Sequence, residues 1–205
     1  MTTDTILSLY DLTGTWSSVY KDAGYDVRRV DLAGSGEDLR LLRPADLGVD
    51  LDAVTGLSAQ PPCTHFSGSG ARWWASKGDA ALLEAIPLVD LVYRYASMCP
   101  NLRWYVIENP VGRLIHYIGP PKAYYQPHEY AGWAESPEEQ EANRYTKKTC
   151  LWGEGWTLPQ KKDLGKHPDR KIGEMVHRMP PGPNRAHARS VTPSGFARAW
   201  FSANP

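Results

Sequence analysis

Apolar and polar positions change period repeatedly along this chain. The short apolar run Ile6-Leu7-Ser8-Leu9-Tyr10 reads as a buried strand, followed by a turn over Asp11-Leu12-Thr13-Gly14-Thr15-Trp16. Ser17 to Gly24 predicts a helix closed by glycine, and Tyr25 to Asp31 a second strand ending in an acid. Ala53 to Ala59 predicts another strand, which Gln60-Pro61-Pro62 must end because proline cannot donate to a ladder. From Asp79 to Ala96 the period lengthens: Leu82, Leu83, Ile86, Val89, Val92 and Tyr93 form one helical stripe despite Pro87. Arg103 to Ile107 then reads as a central strand that delivers Glu108.

Strands alternating with helices imply an α/β fold, a mostly parallel sheet with helices on both faces and ligands at the carboxyl ends of the strands. Beyond Gly119 the rhythm weakens. A solvated loop and short helix are expected over Glu135 to Glu141, a strand at Thr149-Cys150-Leu151-Trp152, and a long irregular connection over 158–184. Thr192 to Ser202 reads as a terminal helix capped by Thr192, with Pro193 in its first turn.

Composition narrows the class. A chain of 205 residues with 41% hydrophobic content, 8 Trp and 11 Tyr suits one compact domain over 1–205. No run of about 18 apolar residues occurs, so no membrane span is expected. Three cysteines without a C-x-x-C pair, and no apolar signal segment, point to a reducing, cytoplasmic setting. Net charge is zero but unevenly spread: residues 1–142 hold 11 Lys/Arg against 19 Asp/Glu, and residues 143–205 hold 12 against 4. The basic final third reads as a phosphate-binding face, or as one half of an intramolecular pairing of charges.

Candidate chemistry gathers just after the predicted strands. Gly14 lets backbone N–H groups approach a ligand at a helix start, and Asp31 can accept from ribose hydroxyls. G-x-G-x-x-G is missing, so a ribose-bearing cofactor without pyrophosphate fits best, and S-adenosylmethionine is the obvious one. Asp46, after a third strand, is a candidate partner for its adenine amino group. Cys63 follows two prolines that hold it at a rigid corner, and it becomes a nucleophile only where its pKa is lowered. Glu108 follows an apolar run, so burial should raise its pKa and let it hold a proton near neutrality. A thiol and a proton-holding carboxyl are what C5 of a pyrimidine needs: attack at C6 with a proton at N3 makes C5 nucleophilic. His65 lacks a second Cys/His pair at ligand spacing, so no metal is expected; His128 lines either the target pocket or a surface loop.

These residues resemble the DNA cytosine-5 methyltransferases, in particular a compact, phage-type group. Pro62-Cys63 with Phe66-Ser67 looks like the family's proline-cysteine motif, and Glu108-Asn109 like its glutamate-asparagine motif, with Pro110 where valine is commoner. Asp11-Leu12-Thr13-Gly14 resembles the cofactor loop, and Asp31 falls where the ribose-binding acid is expected. Lys147 to Gly153 looks like the strand that carries two arginines; the resemblance puts Thr146 at the first and Lys148, beside the target base, at the second. Arg189 to Pro193 is similar to the segment after the target-recognition domain. The resemblance implies a Rossmann-like S-adenosylmethionine-dependent methyltransferase fold acting on DNA, with Cys63, Glu108 and Lys148 catalytic and Pro62, Asn109, Pro110, Thr146 and Arg189 against the substrate. Trp16 stands where a second glycine is usual, and the basic segment 154–191 is too short for a full recognition domain. Recognition therefore falls to this segment, with Lys161, Lys162, Lys166, Arg170 and Lys171 and the aromatics Trp152, Trp156 and Trp200, or to a separate subunit. Two alternatives follow: a C5-pyrimidine methyltransferase on RNA, single strands or nucleotides, and a catalytically idle relative that binds nucleic acid or a host protein.

Overall fold

The computed structural model describes residues 4–31, 43–166 and 189–205. Six strands form one mixed, mostly parallel sheet: β1 (Thr5–Leu9), β2 (Asp26–Val30), β3 (Val54–Ala59), β4 (Trp104–Pro110), β5 (Ala123–Tyr125) and β6 (Thr149–Glu154), in the order β2-β1-β3-β4-β6-β5. β1 to β4 run parallel, and β6 lies antiparallel between β4 and β5. This α/β arrangement is consistent with a Rossmann-like methyltransferase topology. Every residue of β1 and β3 is buried, as parallel strands covered on both faces require, whereas edge strand β2 carries Asp26, Arg28 and Arg29 to solvent.

The period of two sorts neighbouring residues into two cores. Leu7, Ile107 and Trp152 pack on one face beneath α2 (Ala80–Met98), which continues through Pro87. Ile6, Val106 and Leu151 pack on the other, against α1 (Thr15–Asp22) and α4 (Ser194–Ala203). The second core is aromatic: Trp16 meets Phe196 and Trp200 edge-on at 5.3 and 5.2 Å, and Tyr125 stacks on Phe196 at 3.7 Å. Each such ring removes roughly 150–250 Å² from water, on the order of 4–6 kcal/mol of transfer free energy.

Trp152, Trp156 and Trp200, expected to face a substrate, are buried in these cores, because packing rewards their area more than exposure does. Trp16 likewise turns its indole into the aromatic core, against Phe196 and Trp200. The terminal helix is capped by Pro193 rather than Thr192, which is itself buried. Ser136 caps α3 (Pro137–Asn143) by accepting from the Glu139 amide at 3.1 Å. Three-residue β5 had no periodic signal, and the direction of β6 is set by its connection rather than by its composition. Among the described residues no helix is long and apolar enough to cross a membrane.

Candidate active site

The corner after β3 is stitched to the end of β4. Two prolines deliver Cys63 to the first position of a single 3-10 turn, Cys63–His65, whose cap is Pro62. The Cys63 carbonyl accepts from the amides of Phe66 and Ser67 at 3.0 and 2.8 Å. Asn109, buried in β4, donates its side-chain amide to the Pro61 carbonyl at 2.8 Å. Arg113 donates its Nε to the His65 carbonyl at 2.7 Å and its amide to the Phe66 carbonyl at 2.8 Å. Gly112 forms an isolated bridge with Ser67, and a Cβ there would run into the Phe66 carbonyl, so only glycine permits this approach. The thiol and the β4 carboxyl are therefore positioned by one set of bonds.

Glu108 lies inside β4, not just beyond it, paired with Leu151 of β6 while Pro110 pairs with Thr149. The antiparallel strand buries it. Its Oε1 has no hydrogen-bond partner, and burial raises its pKa, opposed by the nearby Lys147 ammonium. Cys63 is open to solvent on one side and enclosed by protein on the others. Burial first and the Glu108 charge second push its thiol above the ordinary value, and Lys147 and Arg189 oppose that rise without reversing it, so the lowered pKa expected of a nucleophile is not met by these side chains alone. Lys147 donates its Nζ to the Arg189 carbonyl at 3.0 Å, and Arg189 reaches Ser69 Oγ at 3.3 Å. One recess thus holds Cys63, Glu108, Lys147 and Arg189.

Lys148 is not part of it. Its Nζ stands 4.4 Å above the Tyr124 ring, out in solvent. Tyr145 and Lys147 act on Glu108, whereas Lys148 projects elsewhere. Thr146, half-buried, precedes Lys147. Pro110 ends β4, half-buried at the same rim.

The β1 side is braced by Asp11. Its carboxylate accepts from the amides of Gly14 and Ser17 at 3.0 and 3.1 Å and from Ser8 Oγ at 3.3 Å. Gly14 caps α1 at φ 70°, and a Cβ there would meet the Arg29 guanidinium. Tyr10, at φ 63°, is a non-glycine residue in the left-handed region, held by its hydroxyl bond to the Leu88 carbonyl at 2.9 Å. An open pocket of about 250 Å³ lies beside this loop, lined by Gly14, Ser18, Glu139, Ser194 and Arg198 among others. Asp31 follows β2 at the neighbouring strand end. Asp46 sits on the one-turn helix Pro44–Leu47, where its carboxylate takes the Arg43 amide at 2.9 Å and the Arg43 guanidinium at 3.1 Å. The strand expected before it lies outside the described residues. Gln60, whose amide N–H bonds the Leu9 carbonyl, buries both side-chain amide atoms without a partner.

Gln60, one residue past β3, offers an unpaired donor and an unpaired acceptor, and Asp31 follows β2 on the other side of β1; these are groups of the kind that a ribose-bearing cofactor such as S-adenosylmethionine bonds. Lys161 is paired with Glu129 at 2.7 Å, and Lys162 lies over Trp133 at 3.6 Å, so both bind the chain itself. The Lys166 carbonyl accepts from Arg144 at 3.0 Å; Arg170 and Lys171 lie outside the described residues. His128 pairs with Asp163 at 3.1 Å. Among the described residues no group of three or more His, Cys, Asp or Glu side chains is placed to hold a metal. Lys147, Tyr145, Arg113 and Gln60 are the site residues that sequence reasoning passed over. No family model matches this chain, and no curated protein is significantly similar to it.

Proposed function

We propose that the recess is the active centre of an S-adenosylmethionine-dependent methyltransferase acting at C5 of cytosine in DNA. One observation carries the reading. The nucleophile candidate Cys63 and the buried, partly unpartnered carboxyl of Glu108 are locked to each other through the Asn109–Pro61 bond.

Bound S-adenosylmethionine supplies the electrophilic methyl group. Gly14, Gln60 and Asp31 would hold it. The Cys63 thiolate adds to C6 of the ring as Glu108 delivers a proton to N3, and the C5–C6 π pair becomes available at C5. Once C5 carries the methyl group, loss of the C5 proton to water expels the Cys63 thiolate, restores the double bond and returns the N3 proton to Glu108. Lys147, with Arg189 behind it, favours the thiolate that this addition needs. Reaching C6 in a duplex requires the base to leave the stack, which costs a few kcal/mol and least for an unpaired base.

The test is covalent trapping. An oligonucleotide carrying 5-fluorocytosine blocks the final elimination, so with S-adenosylmethionine it should leave a denaturation-resistant adduct on the wild-type protein and none on Cys63→Ala. No adduct on duplex or single-stranded substrate, with cofactor binding demonstrated by calorimetry, would overturn the reading.

A further inference from the structure

Large side chains that face solvent follow the Cys63 turn and β4, the two segments that carry the site, and continue onto β5. Trp73, Val111, Tyr117 and Tyr124 are 53%, 46%, 45% and 43% exposed. They join into one strip through contacts. The Arg72 guanidinium lies 5.1 Å from the Trp73 ring, and that of Arg113 lies 4.9 Å from Trp74. Gly112 bridges Ser67; Val111 donates to the Lys148 carbonyl at 3.5 Å; Lys148 covers Tyr124 at 4.4 Å. Tyr124 stands level with Asn109, since both pair with Cys150 of β6.

Charge follows the same line. From Ala53 through Gly78 and from Asn109 through His128 there is no Asp or Glu, while Arg72, Lys77 and Arg113 fall within those spans, and Lys122, in the second, turns instead to Trp156. This is an acid-free stretch in a part of the chain, residues 1–142, that holds 19 acids against 11 bases. The carboxyl beside it, Glu108, is buried and held toward its neutral form. Exposed rings paired with cations attract a flexible polyanion with free planar faces, and every base has such a face. A duplex keeps its bases stacked inside and presents no face to Trp73 or Tyr124.

We propose that this strip binds single-stranded nucleic acid, the strand running past Trp73 and Tyr124 while one of its bases enters the Cys63 recess. The surface takes its place beside the catalytic reading, and rests on it for the entry of the base. Strand binding itself is measured without chemistry. The probe is a fluorescein-labelled oligodeoxyadenylate of about twelve nucleotides, within the usual site size, followed by anisotropy. Trp73→Ala and Tyr124→Ala should each weaken binding roughly 5- to 150-fold, and Tyr124→Phe should retain it. The same strand annealed to its complement should bind more weakly than the free strand, and an oligoriboadenylate arm distinguishes DNA from RNA as the source of that strand. Both alanine variants replace exposed residues, and their thermal melts verify the fold. Wild-type affinity in both, or a duplex bound as tightly as the free strand, would overturn the proposal even if the 5-fluorocytosine adduct forms. Retained strand binding without any adduct overturns the catalytic reading alone.

Discussion

Two buried carboxyls sit near the carboxyl ends of parallel strands and are treated in opposite ways. Asp11, after β1, has both oxygens bonded by backbone amides and Ser8. Glu108, within β4, leaves Oε1 without a partner. A carboxylate with three of its roughly four acceptor sites filled by its own loop fixes that loop and has little capacity left for a ligand. An unpartnered one costs free energy, about 1–3 kcal/mol or more for a charged group, and persists where a ligand will complete it. Burial alone thus does not distinguish a brace from a reactive group; hydrogen-bond saturation does. Asp11 accordingly positions the Gly14 loop, beside which the cofactor of the proposed reaction would bind.

Replacing Glu108 by Gln should have the largest effect and separate function from stability. Methyl transfer, read by tritium incorporation, should fall by at least about 100-fold, in the range of losing general acid catalysis. Stability should move the other way. Because the folded pKa is raised above the ordinary 4.5, the native state holds a proton longer than the unfolded chain, so the contribution of Glu108 to stability is fully present below pH 4.5 and is lost as pH rises through the folded pKa. Glu108→Gln removes that decline. In urea titrations its advantage over wild type should grow above pH 4.5 with a slope approaching about 1.4 kcal/mol per pH unit, and vanish in acid. Greater wild-type stability at pH 8 would contradict a desolvated Glu108.

Asp11→Asn should act in the opposite sense. Its amide nitrogen must face a backbone N–H, so we expect a loss of about 1–3 kcal/mol in the same titrations. An unchanged midpoint would mean that the brace is dispensable. The smallest effect is electrostatic. Lys147→Met removes the cation that holds both Cys63 and Glu108 down, so the rate of Cys63 alkylation by iodoacetamide should rise at higher pH than in wild type. Alkylation must be scored at Cys63 by mass spectrometry, since Cys99 and Cys150 are also free. Lys148→Met, with its ammonium over Tyr124, should leave that curve in place. If the two variants shift it equally, the assignment of Lys147 to the recess fails.

Much of the fold was legible because its signals are local. Strands β1 to β4, helix α2 and the terminal helix each announce themselves by a period, a proline or a glycine, and Cys63 and Glu108 by following apolar runs. Three-residue β5 was illegible for want of length. Lys147 and Lys148 are adjacent and chemically identical, so only the folded path of the backbone before β6 decides which reaches Glu108. Tryptophan posed a similar ambiguity: Trp152, Trp156 and Trp200 carry the same side chain as Trp73, and packing decides which are core and which are surface.

The sequence by itself determined the alternation of strands and helices, the rigid Pro61-Pro62-Cys63 corner and the residue types from which a pyrimidine-activating pair is made, because backbone restriction and hydrophobic period act between near neighbours. Tertiary structure alone decided that Asn109 ties that corner to β4, that β6 buries Glu108 and that Lys147 is the cation beside it. Those contacts join residues tens of positions apart, and their energies depend on desolvation, which exists only once the sheet has closed around them.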